Sequence, residues 1–125
     1  MNFFGTFVPY EMKTKALVVA ASASYDELTP TPGTRIRLLG FTACYVVLVN
    51  LTSTVRSTLA FGTGGVSETT KILNNFRGDT RANSVVTQRS SINVLGDIDE
   101  VIRLTQMTYT GGSAEGSTVI YYVEE

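Results

Sequence analysis

The sequence contains no histidine and no tryptophan, and it has a single cysteine among its 125 residues. Without histidine the chain lacks the commonest general base and a common zinc ligand, and serine–histidine or cysteine–histidine mechanisms are excluded. Cys44 cannot form a disulfide within the chain, and its neighbours in "FTACYVVLV" predict a small buried hydrophobe. These absences predict a protein that has no catalytic residues and no metal or other cofactor.

Long apolar runs are also missing, since none approaches the roughly 20 residues of a membrane-spanning helix. The first residues, "MNFFGTFVPYEM", are apolar, but they lack a basic beginning and are interrupted by Gly5, Pro9 and Glu11. A signal peptide is therefore not expected, and the segment is predicted to be retained. The sequence gives no reason to expect a membrane partner.

The net charge of −1 provides no overall attraction to nucleic acid or to anionic lipid, so neither is expected as a partner. Residues 35–89 carry seven basic and two acidic side chains, a net +5, whereas residues 97–125 carry one basic and six acidic side chains, a net −5. If folding keeps these segments apart, one copy complements another; if folding interleaves them, the asymmetry disappears. The sequence leaves both outcomes open.

Short stretches rich in Val, Ile, Leu, Thr and Tyr recur between Gly, Pro, Asn, Asp and Ser residues. In "VRSTLAF", for example, Val55, Ser57, Leu59 and Phe61 alternate with more polar neighbours, which is the period of a strand. This pattern predicts an all-β, single-domain antiparallel β-sandwich of about eight strands, with a jelly roll as the first choice. An immunoglobulin-like sandwich comes second, because the chain has neither a tryptophan nor a cysteine pair.

Several segments remain ambiguous in the sequence. Residues 15–21 are predicted as the first strand and residues 22–33 as a loop, while residues 33–49 form either two strands or one strand with a bulge at Gly40. Residues 67–78 fit a helix and a strand almost equally well. The end of the chain is predicted as a hairpin that joins residues 100–110 to residues 117–125.

The first ten residues hold four aromatic side chains, Phe3, Phe4, Phe7 and Tyr10, where chain ends are normally polar. Either these rings pack on the core of their own domain or they dock on another chain, because aromatic anchors are enriched at interfaces. We therefore divide the chain into an N-terminal arm, residues 1–14, and a β-sandwich domain, residues 15–125. The four aromatic residues are candidate interface residues.

Arg35 and Arg37 lie in "GTRIRLLGF", one residue on either side of Ile36. The alternation places both arginines on one face of a strand, opposite Ile36 and Leu38. Either this face is solvated, or the arginines form salt bridges to carboxylates of another subunit or of a capsid. Both arginines are added to the candidate interface residues.

The two motifs that suggest ligands are weak. "GDIDE" brings Asp97, Asp99 and Glu100 together but lacks the third acidic position and the glycine of a calcium loop. "GTGGVSE" lacks the Gly-Lys-Ser/Thr ending of a phosphate-binding loop. Both are predicted to be turns.

Four segments, "PGTRIRLLGF", "STLAFGTGG", "LGDIDEVIRL" and "GGSAEGSTVIYYVEE", resemble the jelly-roll structural proteins of tailed bacteriophages, of the head decoration or cement type or the fibre-tip type. In those proteins a similar G-x-x-I-R-(I/L/V)-L-(G/S) strand precedes further strands of a jelly roll that often assembles as a trimer. The resemblance covers residues 15–125 and implies a role on the virion surface without catalysis. The aromatic start has no counterpart in it.

The sequence and the resemblance together predict a non-enzymatic virion protein, a capsid decoration or cement subunit assembled in the host cytoplasm. Its expected partners are further copies of itself, with a trimer favoured, and the major capsid protein or another virion protein. The alternative is a carbohydrate- or receptor-binding module that stacks sugar rings on exposed tyrosines, namely Tyr25, Tyr109, Tyr121 and Tyr122.

Overall fold

The structure, a computed structural model, describes residues 11–62, 71–78 and 80–125. Its strands in chain order are β1 (Lys13–Val19), β2 (Tyr25–Leu28), β3 (Ile36–Val49), β4 (Arg56–Gly62), β5 (Lys71–Arg77), β6 (Val85–Leu95), β7 (Val101–Gln106) and β8 (Ser113–Glu124). Within these three ranges no helix is long and apolar enough to cross a membrane. The predicted all-β class and the predicted number of strands are confirmed.

The strands form two four-stranded antiparallel sheets. The first sheet has the order β1-β8-β3-β6, and the second has the order β2-β7-β4-β5. The pairs β1·β8, β2·β7, β3·β6 and β4·β5 are those of one long hairpin that is folded between β4 and β5 and rolled across both sheets. This strand order confirms the jelly roll and excludes the immunoglobulin-like alternative.

The core lies between the two sheets and consists of alternate residues of each strand, as the period of a β-strand requires. On β8, for example, Thr118, Ile120 and Tyr122 are buried, whereas Ser117 and Val119 are half-buried on the other face. The largest fully buried apolar side chains are Leu17, Ile36, Leu38, Leu59, Phe61, Ile102, Leu104 and Ile120. Burial of each such side chain contributes roughly 1.5–3 kcal/mol to folding.

The 14-residue strand β3 keeps its core face through a bulge near Gly40. The register shifts between Leu38 and Gly40 against both β6 and β8, so Leu38 points inward before the shift and Phe41 points inward after it. A Cβ atom on Gly40 would lie 2.8 Å from the carbonyl oxygen of Ser90, which explains the glycine. Residues 33–49 therefore contain one strand with a bulge near Gly40, and the alternative of two separate strands is wrong.

Two expectations about local structure are wrong, and one ambiguity is resolved. The predicted loop 22–33 contains strand β2, which forms because β7 supplies its hydrogen-bonding partner. The predicted closing hairpin does not exist, because β7 and β8 belong to different sheets and the chain crosses between the sheets after β7. The ambiguous segment 67–78 forms strand β5 over its described part. Strand β1 begins at Lys13, and the boundary between arm and sandwich remains a prediction.

Arg103 is buried on the second sheet although it lies on the outward face of β7, with only 4% of its surface exposed. Its guanidinium donates two hydrogen bonds to Glu27, its register partner on β2, and lies 4.3 Å from the ring centre of Tyr25. The remaining terminal nitrogen, Nη1, has no hydrogen-bond partner in the part of the chain that the structure describes. These contacts tie the short polar strand β2 to the sheet.

Tyr45 joins the two sheets at the centre of the sandwich. Its ring stacks on Phe76 with the ring centres 4.6 Å apart, and its hydroxyl donates a hydrogen bond of 2.8 Å to the amide oxygen of Gln106. Gln106 is fully buried, and its amide nitrogen donates to the carbonyl oxygen of Ala21. Burial raises the pKa of Tyr45 to about 12, because the phenolate loses its hydration.

We expect Tyr45 to make the free energy of unfolding fall by roughly 2–3 kcal/mol between pH 10 and pH 12. In this window the unfolded tyrosine loses its proton while the folded one keeps it, so rising pH favours the unfolded chain. Urea unfolding of the wild type and of Tyr45→Phe measures the effect. Tyr45→Phe costs about 1 kcal/mol at pH 8, because Gln106 loses its donor, and the two stability curves cross above pH 10. Parallel curves would contradict this prediction.

Candidate interface

The outer face of the first sheet carries several apolar side chains that are exposed or half-buried. Between the Gly40 bulge and Leu48, its outward side chains on β1, β8, β3 and β6 are Thr14, Ala16 and Val18; Glu115, Ser117, Val119 and Tyr121; Thr42, Cys44, Val46 and Leu48; and Val85, Thr87, Arg89 and Ser91. Arg89 and Glu115 are the charged members of this set. The other members are aliphatic, aromatic, thiol or small hydroxyl side chains. Arg37 lies on the same face on the other side of the bulge.

Several apolar members of this face are open to solvent. Val18 is 51% exposed and Val85 is 59% exposed, at the two edges of the sheet, and Leu48 is 48% exposed near the end of β3. Single exposed apolar residues are common, but a face on which they adjoin the half-buried Val46 and Val119 is typical of an interaction surface. The geometry therefore identifies this face as the candidate interface.

Cys44 belongs to this face, which corrects its predicted position in the core. It is half-buried and free, and its register partners are Ser117 on β8 and Thr87 on β6. The thiol points outward because the Gly40 bulge assigns the core positions of β3 to Ala43 and Tyr45.

A depression of about 440 Å³ lies on the same face beside the bulge. Gly40, Thr42 and Tyr121 contribute to its lining, together with Met12, which is 60% exposed. Met12 directly precedes β1, so the described chain reaches the aromatic arm from this face. The candidate interface residues Phe3, Phe4, Phe7 and Tyr10 lie outside the described residues, and their role remains a prediction.

The two lateral edges of the first sheet differ. On the β1 edge, the backbone N–H of Val18 donates a hydrogen bond to the carboxylate of Asp26, which caps a group that would otherwise be unpaired. On the opposite edge, the 11-residue strand β6 pairs with β3 and has no other strand partner among the described residues. A long edge strand with one charged residue, Arg89, is poorly protected against pairing with another chain.

Arg37 is half-buried at the outer surface, as predicted, but its guanidinium is paired within its own chain. It forms a two-pronged ion pair with Glu125, with 3.2 Å between Nη2 and Oε2, and Nη1 donates a hydrogen bond of 2.8 Å to Asn93. The hydrogen bonds from Arg37 lower the pKa of Glu125. The Arg35 side chain is exposed and makes no ion pair with the described residues. A role for either arginine in contacts between subunits remains a prediction.

Folding interleaves the basic and acidic segments at one end of the sandwich and separates them at the other. Besides the Arg37 pair, Lys13 forms an ion pair of 3.4 Å with Glu124, whose pKa is lowered despite partial desolvation because Thr31 and Lys13 donate hydrogen bonds to it. At the opposite end, Arg56 and Arg77 form no ion pair with any described residue. The basic segment therefore keeps charges without an ion pair to the described residues at that opposite end.

The tyrosines proposed as a sugar-stacking surface do not form one. Tyr109 and Tyr122 are buried with 9% and 7% of their surface exposed, which corrects the expectation that they are exposed. Tyr25 is exposed, but Arg103 occupies one face of its ring, and the half-buried Tyr121 stands on the other sheet. In the described ranges no three His, Cys, Asp or Glu side chains come together as a possible metal site.

No family model and no curated protein matches the sequence. Among solved structures, a chain of the Bacillus endospore appendages, described as disulfide-linked pili, is 16% identical, with a TM-score of 0.41 over 90% of this chain and 87% of that chain. The extra small virus of the giant freshwater prawn Macrobrachium rosenbergii, solved as a VLP, gives 10% identity and a TM-score of 0.31 over 93% and 80%. Infectious bursal disease virus, Gx strain, gives 11% identity and a TM-score of 0.35 over 87% of this chain and 32% of that chain. With these TM-scores the fold is assigned from the strand order of this chain itself.

Proposed function

We propose that the chain is a non-enzymatic structural subunit that associates with copies of itself through the outer face of the first sheet. The observation that carries this proposal is the exposed apolar surface from Val18 on β1 to Val85 on β6. Such a face loses unfavourable contact with water when a second subunit covers it. The open edge of β6 supports the same function, because it provides unpaired backbone groups beside that face.

Within this class we propose a virion protein, and specifically a bacteriophage capsid decoration or cement subunit located on virions assembled in the host cytoplasm. The jelly-roll strand order and the sequence resemblance in residues 15–125 support this more specific proposal. The expected state is a trimer, and the major capsid protein or another virion protein is the expected partner. The aromatic arm, residues 1–14, is proposed as the attachment segment because the chain reaches it from the candidate interface.

Self-association is tested by light scattering on the purified protein. At high salt, where ionic contacts are screened, the wild type is expected at about three times the 13.5 kDa mass of one chain, whereas Val18→Lys combined with Val85→Lys is expected at the mass of the monomer. Both side chains are more than half exposed, so their replacement by lysine leaves the core intact. Thr29→Lys, an exposed position in the β2–β3 connection, is the control and should retain the oligomer. A wild type that stays monomeric overturns the proposal and favours the ligand-binding alternative.

Deletion of residues 1–10 is expected to abolish attachment to the virion, while circular dichroism of the remaining protein still shows β-structure. The reason is that the deletion removes four aromatic anchors and none of the eight strands. Co-sedimentation with heads of the virus that carries the protein is the measurement. A truncated protein that still sediments with the heads would show that attachment does not depend on the arm.

A further inference from the structure

Two arginines face each other on the second sheet without a counter-ion among the described residues. Arg56 on β4 and Arg77 on β5 are register partners in an antiparallel pair, and both are exposed. Like charges in this position destabilise a sheet, and neither guanidinium has a side-chain hydrogen bond or an ion pair with a described residue. An acidic group from outside the domain would relieve this repulsion.

The arginines border a shallow depression of about 340 Å³ that offers more than charge. Thr58 donates a hydrogen bond of 3.0 Å to the side-chain oxygen of Asn75, so the Asn75 amide nitrogen remains available as a donor. Met107, 51% exposed, provides an apolar wall at the β7 side. The depression therefore fits an acidic ligand that also carries an apolar side chain.

The connection between β6 and β7 presents such a group at the other end of the sandwich. Its tip consists of the exposed carboxylates Asp97 and Asp99 on either side of Ile98, which is 58% exposed. Backbone and side-chain hydrogen bonds hold the tip in place, since Asp99 donates its N–H to Thr34 and accepts the N–H of Gly33 at 2.7 Å. The tip is thus a preformed acidic and apolar projection.

Within one molecule the two surfaces cannot meet. Strand β4 runs from Arg56 at one end to Gly62 at the other, and Gly62 pairs with Val101, just beyond the acidic tip. Six residues of strand at about 3.3 Å each separate the ends by roughly 20 Å. A contact between the tip and the arginines therefore requires two copies.

We propose that the Asp97–Asp99 tip of one copy docks on the Arg56–Arg77 depression of the next copy. Each aspartate pairs with an arginine in a charge-assisted hydrogen bond, and Ile98 packs against Met107. Because the two surfaces differ, the contact is head-to-tail, and it produces a ring or a filament according to the rotation between neighbours. The proposal rests on the self-association proposed above and adds a second, ionic contact to it.

The test uses the full chain in the Val18→Lys, Val85→Lys background, so that contacts through the first sheet do not contribute. Sedimentation velocity at low ionic strength is expected to show concentration-dependent association in this background, and raising the salt should weaken it. Arg56→Glu with Arg77→Glu should weaken the association at least tenfold. Lys15→Glu with Arg81→Glu changes the net charge equally at two exposed positions and should leave it unchanged.

Mixing two variants tests directly whether the tip and the depression contact each other. Asp97→Asn with Asp99→Asn removes the charge of the tip while keeping a side-chain oxygen for Gly33, and it should abolish association as well. An equimolar mixture of this variant with the Arg56→Glu, Arg77→Glu variant retains one intact tip and one intact depression, so a 1:1 complex is expected. Two variants that stay monomeric when mixed, or an association unaffected by the arginine substitutions, overturn the head-to-tail contact. These results leave the first-sheet proposal standing, because the light-scattering comparison decides that proposal separately.

Discussion

Gly112→Ala is expected to lower the free energy of unfolding by about 3–5 kcal/mol, the largest effect of a single substitution that we predict. Gly112 precedes β8 and has a φ angle of +49°, in the left-handed region that side chains disfavour. An added Cβ atom would also overlap the carbonyl oxygens of Val49 and Asn50. Because both oxygens belong to the backbone, relief requires the end of β3 to separate from β8, its central pairing partner.

Gly33→Ala is the matched control for this prediction. Gly33 also has a positive φ angle, +84°, but a Cβ atom there would meet no atom within 4 Å. The control therefore reports the backbone cost alone, about 1 kcal/mol, and the difference between the two variants measures the steric overlap. Urea unfolding followed by circular dichroism gives both values. Equal losses in the two variants would show that the contact at Gly112 is relieved without cost.

Glu27→Ala is expected to cost about 2–3 kcal/mol, because it leaves the buried guanidinium of Arg103 without its carboxylate. Arg103 is 4% exposed, and even with Glu27 in place its Nη1 atom has no hydrogen-bond partner among the described residues. About a third of the Glu27 side chain is accessible, so water compensates part of the loss. Hydrogen exchange of the variant should also show faster exchange in β2, since β2 pairs with β7 alone among the described strands.

The double variant Glu27→Leu, Arg103→Met tests whether the cost comes from the unpaired charge or from lost packing. Two apolar side chains of similar volume restore the contact without burying a charge, so its stability should lie within about 1 kcal/mol of the wild type. If the double variant is as unstable as Glu27→Ala, the loss of stability does not come from an unpaired charge. It is then assigned to the specific geometry of the Glu27–Arg103 ion pair. Glu27→Gln keeps the shape of the side chain but removes its charge. It therefore separates the contribution of the charge to the free energy of unfolding from that of the hydrogen bonds.

The sandwich class follows from the sequence because strand period and turn residues are local signals. The sequence does not predict strand β2, because "YDEL" is polar and short. Its formation depends on Arg103, which lies 76 residues after Glu27 in the chain. The false closing hairpin has a similar cause. Strands that are neighbours in sequence usually pair with each other. In this fold, however, the chain crosses from the second sheet to the first between β7 and β8.

The sequence contains a signal for the candidate interface. The signal is hard to recognise because a strand with one buried face is expected to alternate apolar and polar residues. In "TACYVVLV" the inward residues Ala43, Tyr45 and Val47 alternate with residues that are almost as apolar, among them Cys44 and Val46. A continuous apolar run predicts a strand covered on both faces. A two-sheet sandwich covers one face only, so the apolar run agrees with our proposal that another subunit covers the outer face. Arg56 and Arg77 lie opposite each other because of the register between β4 and β5, and no local sequence pattern specifies that register.

The rolled hairpin also determines the order in which the first sheet can form during synthesis. Strand β8 is synthesised after the other seven described strands, yet it lies between β1 and β3 in the first sheet. Until its twelve residues emerge, β1 has no partner, and the ion pair between Lys13 and Glu124, 111 residues apart, cannot form. The surface that we propose for self-association therefore forms only after β8 has been synthesised. A chain that stops before β8 lacks this surface.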